Sequence, residues 1–348
     1  MLKRLLIITQ KVDKDDAVLG FFHRWLEEFA KHLEKVEVLC LYEGTHALPK
    51  NVSVYSLGKE KGYSKIRQLF RFWKFCFALT RKIDGVFVHM NAIYVLLGWV
   101  FWKMRGVNIF LWRNHPEGGW LARLAYVLAH RIFYTSPHAH AARFPRAQRM
   151  PAGIDTDFFR KDERVSRTPN SILFLGRISP VKHIEIVLEA AKLLDAGGSS
   201  FTLSVVGSAP KADDVYEAKI HELALPLFKK GIVKFVPAVR NTDTPHIYNA
   251  HEIFINATPT GSYDKTILEA MACGTIPLVC NRSFAEILSK DLVFSEGDTH
   301  DLAQKLIMAL RLSEDRRQDI RRRLRDYVDT RHGIERLVYN VCAQYEIL

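Results

Sequence analysis

The sequence predicts an α/β protein whose parallel sheets are divided between two domains. Strand-like apolar segments alternate with amphipathic helical segments along the whole chain, which is the pattern of strand–helix–strand units. The 348 residues exceed the size at which a single hydrophobic core keeps growing. Proline and glycine interrupt the chain at residues 150–153, so we place the domain boundary there, between 1–150 and 151–330.

Ten segments are expected to be strands, five in each half of the chain. In the first half they are 5–9, 36–41, 86–89, 107–112 and 131–135. In the second half they are 172–176, 202–207, 232–236, 253–257 and 276–279. Most are short, continuous apolar runs, as expected of strands that are buried on both faces of a parallel sheet.

The strongest site signal follows the strand at 172–176. This strand ends at Gly176, Arg177 comes next, and Lys182 precedes an amphipathic helix pattern. Open α/β sheets bind ligands at the carboxyl ends of their strands, and the amide dipoles of a helix start favour an anion there. Two solvated loop charges would give the same local pattern, so a second signal is needed.

The second signal lies at 253–280. A strand at 253–257 leads through a turn at 258–262 into a helix that opens near Lys265 and Thr266 and carries Glu269. An acidic residue near a helix start is often only a partner of the helix dipole. With two cations at the same sheet edge, however, the set suits a nucleoside diphosphate. The cations and amides would bind its phosphates, and the carboxylate would accept hydrogen bonds from ribose hydroxyls.

These motifs carry a family resemblance. Gly176-Arg177 with Lys182, followed by LEAMACG at 268–274, resembles the retaining glycosyltransferases of family 4. That resemblance implies the GT-B fold, an α/β architecture of two facing Rossmann-like domains with parallel sheets. The first domain would bind the acceptor and face the membrane, and the second would bind a nucleotide-sugar.

Two further segments support the resemblance. The run Gly153-Ile154-Asp155 with Phe158 matches an inter-domain signature of the family, and 332–345 matches a C-terminal helix that returns to the first domain, to which 331–348 is therefore assigned. Asp155-Thr156-Asp157 spells the Asp-x-Asp of metal-dependent enzymes of another fold. Because it lies in this linker signature, we interpret it as a structural turn.

The resemblance also implies a chemistry. A hexose-type sugar would pass from a UDP- or GDP-linked donor, with retention and without a metal or other cofactor, to a glycan or lipid-linked acceptor in polysaccharide, lipopolysaccharide or glycolipid assembly. Arg177, Lys182 and amides near 264–267 would stabilise the leaving diphosphate. His115 matches a family histidine near the transferred sugar, His89 is a second candidate, and no catalytic base is assigned. The residues expected to bind the donor are Gly20, Gly176, Arg177, Lys182, Gly207, Val236, Gly261, Asp264, Lys265, Thr266 and Glu269.

Two positions depart from the family pattern. The family has two glutamates separated by seven residues; Glu269 matches the second, but Gly261 stands at the first. The loss of that glutamate is compatible with another donor sugar, with substitution by Asp264 or a neighbour, or with weak activity, and we favour a divergent active enzyme. His183 stands where glycine commonly follows the lysine.

The charge is unevenly distributed. Residues 1–150 hold 24 Lys and Arg against 11 Asp and Glu, whereas 151–348 hold 26 against 27. Basic and aromatic residues interleave at 63–82, as in helices that lie in a membrane interface, although a surface helix with core aromatics is an equal alternative. A second apolar stretch, 94–102, is shorter than the ~20 residues that a membrane span needs. We therefore expect a cytoplasmic protein without a cleavable signal peptide, bound through 63–83 to the inner, anionic face of the membrane.

Other classes fit less well. The five cysteines show no paired spacing, which indicates reduced thiols instead of disulfides or a metal site. No G-x-G-x-x-G follows a predicted strand, and no P-loop motif is present. A basic nucleic-acid-binding protein would leave the second-half anion site unexplained, so no nucleic-acid partner is expected. A non-catalytic nucleotide-binding partner of a glycan assembly system stays open because of Gly261.

Overall fold

The computed structural model describes residues 3–261 and 263–347 and forms two compact units. Unit 1 comprises Met1–Gly153, Arg240–Thr242 and Gly333–Leu348, and unit 2 comprises Ile154–Val239 and Asp243–His332. Met1, Leu2, Ser262 and Leu348, which the predicted domains and turn include, lie outside the described residues.

The sheet of unit 1 has seven parallel strands in the order β3-β2-β1-β4-β5-β6-β7. They are β1 (Arg4–Val12), β2 (Lys35–Glu43), β3 (Val52–Ser56), β4 (Gly85–His89), β5 (Asn108–Trp112), β6 (Arg131–Tyr134) and β7 (Ala147–Arg149). The central strands are buried along most of their length, because helices cover both faces of the sheet.

Two sets of helices cover this sheet. They are α1 (Phe21–His32), α2 (Lys65–Leu79), α3 (Ile93–Lys103) and α4 (Trp120–Leu128), with α11 (Ile334–Ile347) from the C-terminal end. α1 and α11 share one hydrophobic cluster with the sheet, and α2, α3 and α4 share another. On α11, Tyr345 stacks on Phe110 of β5 at 3.7 Å between ring centroids and donates to the carbonyl of Val86 at 2.5 Å.

Unit 2 is built on five parallel strands in the order β10-β9-β8-β11-β12. They are β8 (Ser171–Leu175), β9 (Thr202–Val206), β10 (Val233–Val236), β11 (Ile253–Asn256) and β12 (Ile276–Val279). Its helices are α5 (Ile184–Ala196), α6 (Asp214–Lys229), α7 (Thr244–Ala250), α8 (Lys265–Ala272), α9 (Thr299–Leu310) and α10 (Glu314–His332). They contact one another in two sets, α5 with α6 and α9, and α8 with α7 and α10.

The predicted α/β class with two parallel sheets is confirmed, and all ten predicted strands are present within a few residues of their expected bounds. Two strands, β3 and β7, were not predicted. Both are edge strands; β3 is only partly buried and β7 has three residues, so neither shows the apolar run of a buried strand. The predicted C-terminal helix is the end of α10 followed by α11, and α11 packs in unit 1.

The cysteines are free thiols, as the sequence predicted. Four are buried, and Cys342 is half-buried. Burial raises the pKa of Cys280 to about 12 and raises those of Cys40, Cys76 and Cys273 as well. Among the described residues, no helix combines the length and the apolar character that crossing a bilayer requires.

Candidate functional site

The chain order of the unit 2 strands defines a switch point. From β8 the chain runs outward through β9 to β10, then returns to the other side of β8 for β11 and β12. The loops that leave β8 and β11 therefore diverge in opposite directions, which opens a crevice at the carboxyl ends of these strands where ligands bind in open α/β sheets. Arg177 and Lys182 follow β8, and Thr258 and Asp264 follow β11.

Three of the predicted donor residues meet along this edge through their backbones. The amide of Gly176 donates to Val206 at 3.0 Å, and the amide of Gly207 donates to Val236 at 2.9 Å. A Cβ atom on Gly207 would lie 1.8 Å from the carbonyl oxygen of Gly176, so no side chain fits at this position. The ends of β8, β9 and β10 thus lie close together, and no side chains of Gly176 and Gly207 stand between them.

Lys182 is bound to Asp264. The Lys182 ammonium donates to Oδ2 of Asp264 at 2.5 Å and to the hydroxyl of Thr258 at 3.1 Å. The same carboxylate oxygen accepts the Thr258 hydroxyl at 2.9 Å and the Asn256 amide at 3.0 Å. Burial alone would raise the pKa of Asp264, but the Lys182 charge and these hydrogen bonds outweigh it and hold that pKa below its ordinary value. Asp264 is therefore a carboxylate at neutral pH.

Arg177 differs from Lys182 in its surroundings. It is exposed and, within the part of the chain that the structure describes, forms no ion pair or hydrogen bond. It directly follows Gly176 at the end of β8. Its guanidinium therefore keeps its donors for a ligand, and a bidentate contact with a phosphate is the geometry that this group favours.

The start of α5 explains the departure at residue 183. His183 has a left-handed backbone, with φ of 48°, a conformation that glycine adopts without strain. The His183 ring contacts the Glu185 carboxylate at 3.1 Å, and Glu185 also accepts the hydroxyl of Tyr216. Burial would raise the pKa of Glu185, but hydrogen bonds from Tyr216 and His183 lower it. The histidine is thus held in place by side chains that no sequence motif marked.

The turn before α8 has its own backbone geometry. Gly261, at the position of the first family glutamate, is buried and has φ of 127°, which L-residues rarely adopt. Tyr263 anchors the turn by stacking on Phe284 at 4.5 Å, and its hydroxyl lies 3.2 Å from Nε2 of His332. The backbone at position 261 therefore favours glycine.

Lys265 and Thr266 open α8 as expected, and Glu269 follows one turn later. The Glu269 side chain is buried, and its Oε2 accepts the hydroxyl of Tyr248 from α7 at 3.1 Å. Burial and the Glu269 charge together raise the pKa of Tyr248 well above its ordinary value. Tyr248 is therefore a permanent neutral donor that orients the carboxylate, a role that the sequence did not indicate.

The carboxyl end of α8 is held by two arginines. Arg167 donates to the carbonyls of Gly274 at 2.7 Å and Cys273 at 3.1 Å, and Arg325 donates to that of Ala272 at 2.9 Å. Burial is the main cause that lowers the pKa of Arg167, to about 10, so it stays cationic at neutral pH. Cations at a helix C-terminus stabilise the helix dipole and its unpaired carbonyls. They fix the helix that carries Glu269.

The candidate residues of unit 1 have different environments. Gly20 is buried before α1, and a Cβ atom there would lie 2.5 Å from the carbonyl oxygen of Asp16. His115 is exposed after β5, and its Nδ1 accepts the amide of Glu117 at 3.1 Å. His89 is buried, contacts the hydroxyl of Thr9 at 3.3 Å and stacks on Phe22 at 4.3 Å. His89 therefore packs in the core of unit 1.

The loop after β1 is organised by an aspartate that the sequence did not single out. Asp16 accepts the amides of Val18 at 2.9 Å and Leu19 at 2.6 Å, and the Lys11 ammonium at 2.5 Å. Burial would raise the pKa of Asp16, but these partners lower it. The loop that leads to Gly20 thus has a defined conformation.

The Asp-x-Asp sequence lies in a turn. Oδ1 of Asp155 accepts the amide of Phe158 at 3.0 Å, and its carbonyl accepts that of Phe159 at 2.8 Å. Across 3–261 and 263–347, no three histidine, cysteine or acidic side chains are grouped so that they could hold a metal ion. The expectation of a metal-independent reaction remains a prediction.

Each unit is built on a parallel sheet, and unit 2 carries cations and a buried carboxylate at its switch point. This is a protein of the GT-B fold. HepE from Anabaena, solved in complex with UDP, aligns with a TM-score of 0.79 at 16% identity, covering 99% of this chain and 100% of that one. WaaG, a glycosyltransferase involved in lipopolysaccharide biosynthesis, aligns with a TM-score of 0.67 at 17% identity, covering 98% and 99%. At these identities the likeness shows the fold.

The sequence comparisons concern mainly unit 2. Residues 155–326, just under half of the chain, match the family of glycosyl transferases group 1. The D-inositol 3-phosphate glycosyltransferase 2 of Catenulispora acidiphila is 32% identical over 149 residues, which are 39% of this chain and 35% of that protein. The chain thus spans about a third of the length of such curated relatives.

Proposed function

We propose that this protein is a retaining, metal-independent glycosyltransferase that transfers a hexose-type sugar from a nucleoside diphosphate donor to a glycan or lipid-linked acceptor. The observation that carries the proposal is the grouping of Lys182, Asp264 and Glu269 with exposed Arg177 around the switch point of unit 2, the part of the chain that matches the group 1 glycosyl transferases. Such an edge suits a ligand that has both phosphates and a ribose.

The proposed roles follow from the charges and hydrogen-bonding groups. Arg177 and Lys182 would stabilise the charge that builds on the leaving diphosphate, because fixed cations stabilise the transition state more than the ground state. Glu269, oriented by Tyr248, would accept the ribose hydroxyls. Gly207 and Val236 would line the base. For Gly20 and His115 of unit 1, the family resemblance implies contacts with the donor and the sugar, and these stay a prediction.

The relatives guide the choice of substrates for a first assay. HepE has been solved with UDP and with UDP-glucose, so uridine donors come first, followed by guanosine donors. WaaG acts in lipopolysaccharide biosynthesis, which favours a lipid-linked glycan as the acceptor. The inositol phosphate acceptor of the curated relatives is the small-molecule alternative.

The experiment measures binding and turnover separately. Titration calorimetry with UDP and GDP reports binding, and release of the nucleoside diphosphate from UDP-glucose or GDP-mannose, with EDTA present, reports metal-free turnover. NMR of the product anomer reports retention. Arg177→Ala and Lys182→Ala are compared with Arg164→Ala and Lys192→Ala, whose side chains pair with Asp162 and Glu189 in the same unit.

The expected result is selective binding of one nucleoside diphosphate and turnover that both site variants reduce at least tenfold while the controls do not. Binding without turnover for any donor and acceptor would instead favour the non-catalytic partner. Full turnover in the site variants would show that the phosphate assignment is wrong.

We also propose that unit 1 docks on an anionic membrane surface through α2. Some apolar residues of this helix are buried and others are exposed. Phe72 is buried in the core, whereas Ile66, Phe70 and Phe77 are each more than 60% exposed. Lys65 and Lys74 are exposed on the same helix. Exposed aromatic residues beside lysines are typical of a helix that lies in the lipid headgroup region.

The neighbouring helices extend the exposed apolar surface. α3 contacts both α2 and α4, and most of its large side chains are core residues, Trp102 among them. It nevertheless exposes Val100, and α4 exposes Trp120 and Val127. The residues of α4 were not part of the sequence prediction.

Vesicle co-sedimentation tests this docking. The basic residues of α2 do not all have the same role, since Arg71 donates to the carbonyl of Ser56 at 2.8 Å and so supports the fold. Lys65, Lys74 and Lys82 are therefore replaced together by Gln, with Lys211, Lys219 and Lys229 of unit 2 as the matched control. At about 1 kcal/mol per lysine, binding to vesicles with phosphatidylglycerol should weaken by two orders of magnitude. Equal binding of both triple variants would contradict the proposal.

A further inference from the structure

The ion pair at the switch point has a consequence for anion binding. Of the two cations there, Lys182 already has a carboxylate partner, Asp264, and both side chains are largely buried, 16% and 17% exposed. The pair is closed by Thr258, whose hydroxyl accepts from Lys182 and donates to Asp264. The Asp264 carboxylate therefore already occupies the position at Lys182 that a ligand phosphate would take.

We propose that Asp264 is an internal counter-ion that competes with the donor phosphates for Lys182 and so sets how tightly the site holds a diphosphate. This inference rests on the proposed function, in which Lys182 binds the diphosphate. It assigns to Asp264 a role in donor affinity, not the sugar contact that a substitute for the first family glutamate would make.

The geometry indicates that Asp264 competes with a phosphate for Lys182 and does not merely hold the lysine in place. An ammonium has three donor hydrogens; Lys182 directs two to Asp264 and Thr258, which leaves one for a phosphate. Asp264 cancels the charge of Lys182, so that Arg177 supplies the remaining positive charge of the pair of cations. Like charges in a partly buried site repel more strongly than in water. A diphosphate must therefore either bind beside Asp264 or displace it from the ammonium.

Asp264 does not need this position for the helix. It is the residue before α8, where an aspartate side chain commonly caps the helix, yet it makes no side-chain cap hydrogen bond. Instead, one oxygen of its carboxylate accepts hydrogen bonds from three side chains. These are Lys182 from the β8–α5 segment and Asn256 and Thr258 from the β11–α8 segment. The charge is thus held at the lysine and not at the helix start.

The test uses inorganic pyrophosphate as the probe, with calorimetry on the 348-residue chain. Asp264→Asn keeps the size and an oxygen acceptor for Lys182 but removes the charge. It should bind pyrophosphate about tenfold more tightly than the parent protein, a gain of about 1.4 kcal/mol. In the Lys182→Met background the same change should give a clearly smaller gain, because the two residues act on each other.

Two further variants keep the result interpretable. Asp162→Asn removes a carboxylate that pairs with Arg164 on the surface of the same unit, and it should leave the affinity unchanged. Asp264→Ser provides a second uncharged variant if Asp264→Asn does not fold. Unchanged or weaker pyrophosphate binding in the folded Asp264 variants would overturn the proposal. Failure of the proposed function is distinct from this: pyrophosphate would bind, but no nucleotide-sugar would.

Discussion

The guanidinium of Arg325 donates to the carbonyl oxygen of Ala272, the last residue of α8, at 2.9 Å. It also donates to the carbonyls of Phe159 at 2.7 Å and Thr156 at 2.8 Å, and its Nε donates to the carboxylate of Asp329 at 2.7 Å. One side chain of α10 thus joins the end of α8 to the turn that opens unit 2. Because α8 carries Glu269 and begins after Asp264, this contact positions the candidate site from its far end.

Arg325→Met should therefore affect both stability and binding. It leaves three carbonyl groups without their charged donor, and we expect a loss of about 2–3 kcal/mol in the free energy of unfolding. Nucleotide affinity should fall as well, since α8 loses its anchor. Urea unfolding and calorimetry measure the two effects. Arg322→Met is the control, because Arg322 is exposed and pairs with Asp319 on the surface. Equal effects of both changes would show that Arg325 has no special role.

Gly261→Glu restores the first glutamate of the family pattern but should not restore its function. The backbone φ of 127° at this position is strained for any residue with a Cβ atom, at a cost of about 1–3 kcal/mol. We expect lower stability and no gain in turnover. Gly119→Ala, at a residue with φ of −71° and open space around it, should be nearly neutral. A stable and faster Gly261→Glu enzyme would show that the backbone at position 261 does not require glycine.

Glu269→Gln tests the ribose contact. The glutamine keeps an oxygen that can accept the hydroxyl of Tyr248, so the local structure should survive while the charge is lost. Charge-assisted hydrogen bonds are about twice as strong as neutral ones, and we expect nucleotide affinity to fall about tenfold. Glu189→Gln on α5, whose partner is Lys192, should leave it unchanged. If the two variants bind nucleotide equally well, the ribose assignment is wrong.

The sequence predicted the elements around the site better than the contacts within it. β8, β11 and β12 are continuous apolar runs, so their positions, and those of Arg177 and Glu269 after them, could be read directly. The pairing of Lys182 with Asp264 could not, because 82 residues separate them and neither belongs to a local pattern that specifies a partner. The same holds for Tyr248 with Glu269 and for Arg325 with Ala272. Such contacts depend on how α7, α8 and α10 pack, which helix periodicity alone does not determine.

The ion pair of Lys182 with Asp264 should also give stability a specific pH dependence. In the folded protein the pKa of Asp264 is held below its ordinary 3.8, so the folded state binds fewer protons than the unfolded chain in acid. The contribution of the pair is therefore fully present above about pH 5 and is lost as the pH falls through the lowered pKa. Asp264→Asn should reduce the free energy of unfolding by about 1–2 kcal/mol at neutral pH.

Urea unfolding of both proteins between pH 3 and pH 8 measures this difference. It should stay constant from pH 5 to pH 8 and shrink below about pH 4, because Asp264 then takes up a proton in the unfolded chain before it does so in the folded protein. Asp195→Asn provides the comparison, because Asp195 pairs with Lys230 at the surface, where such pairs contribute about 1 kcal/mol or less. A difference that already declined between pH 8 and pH 5 would mean that the Asp264 carboxylate is not held by Lys182, and the counter-ion role would then lose its structural basis.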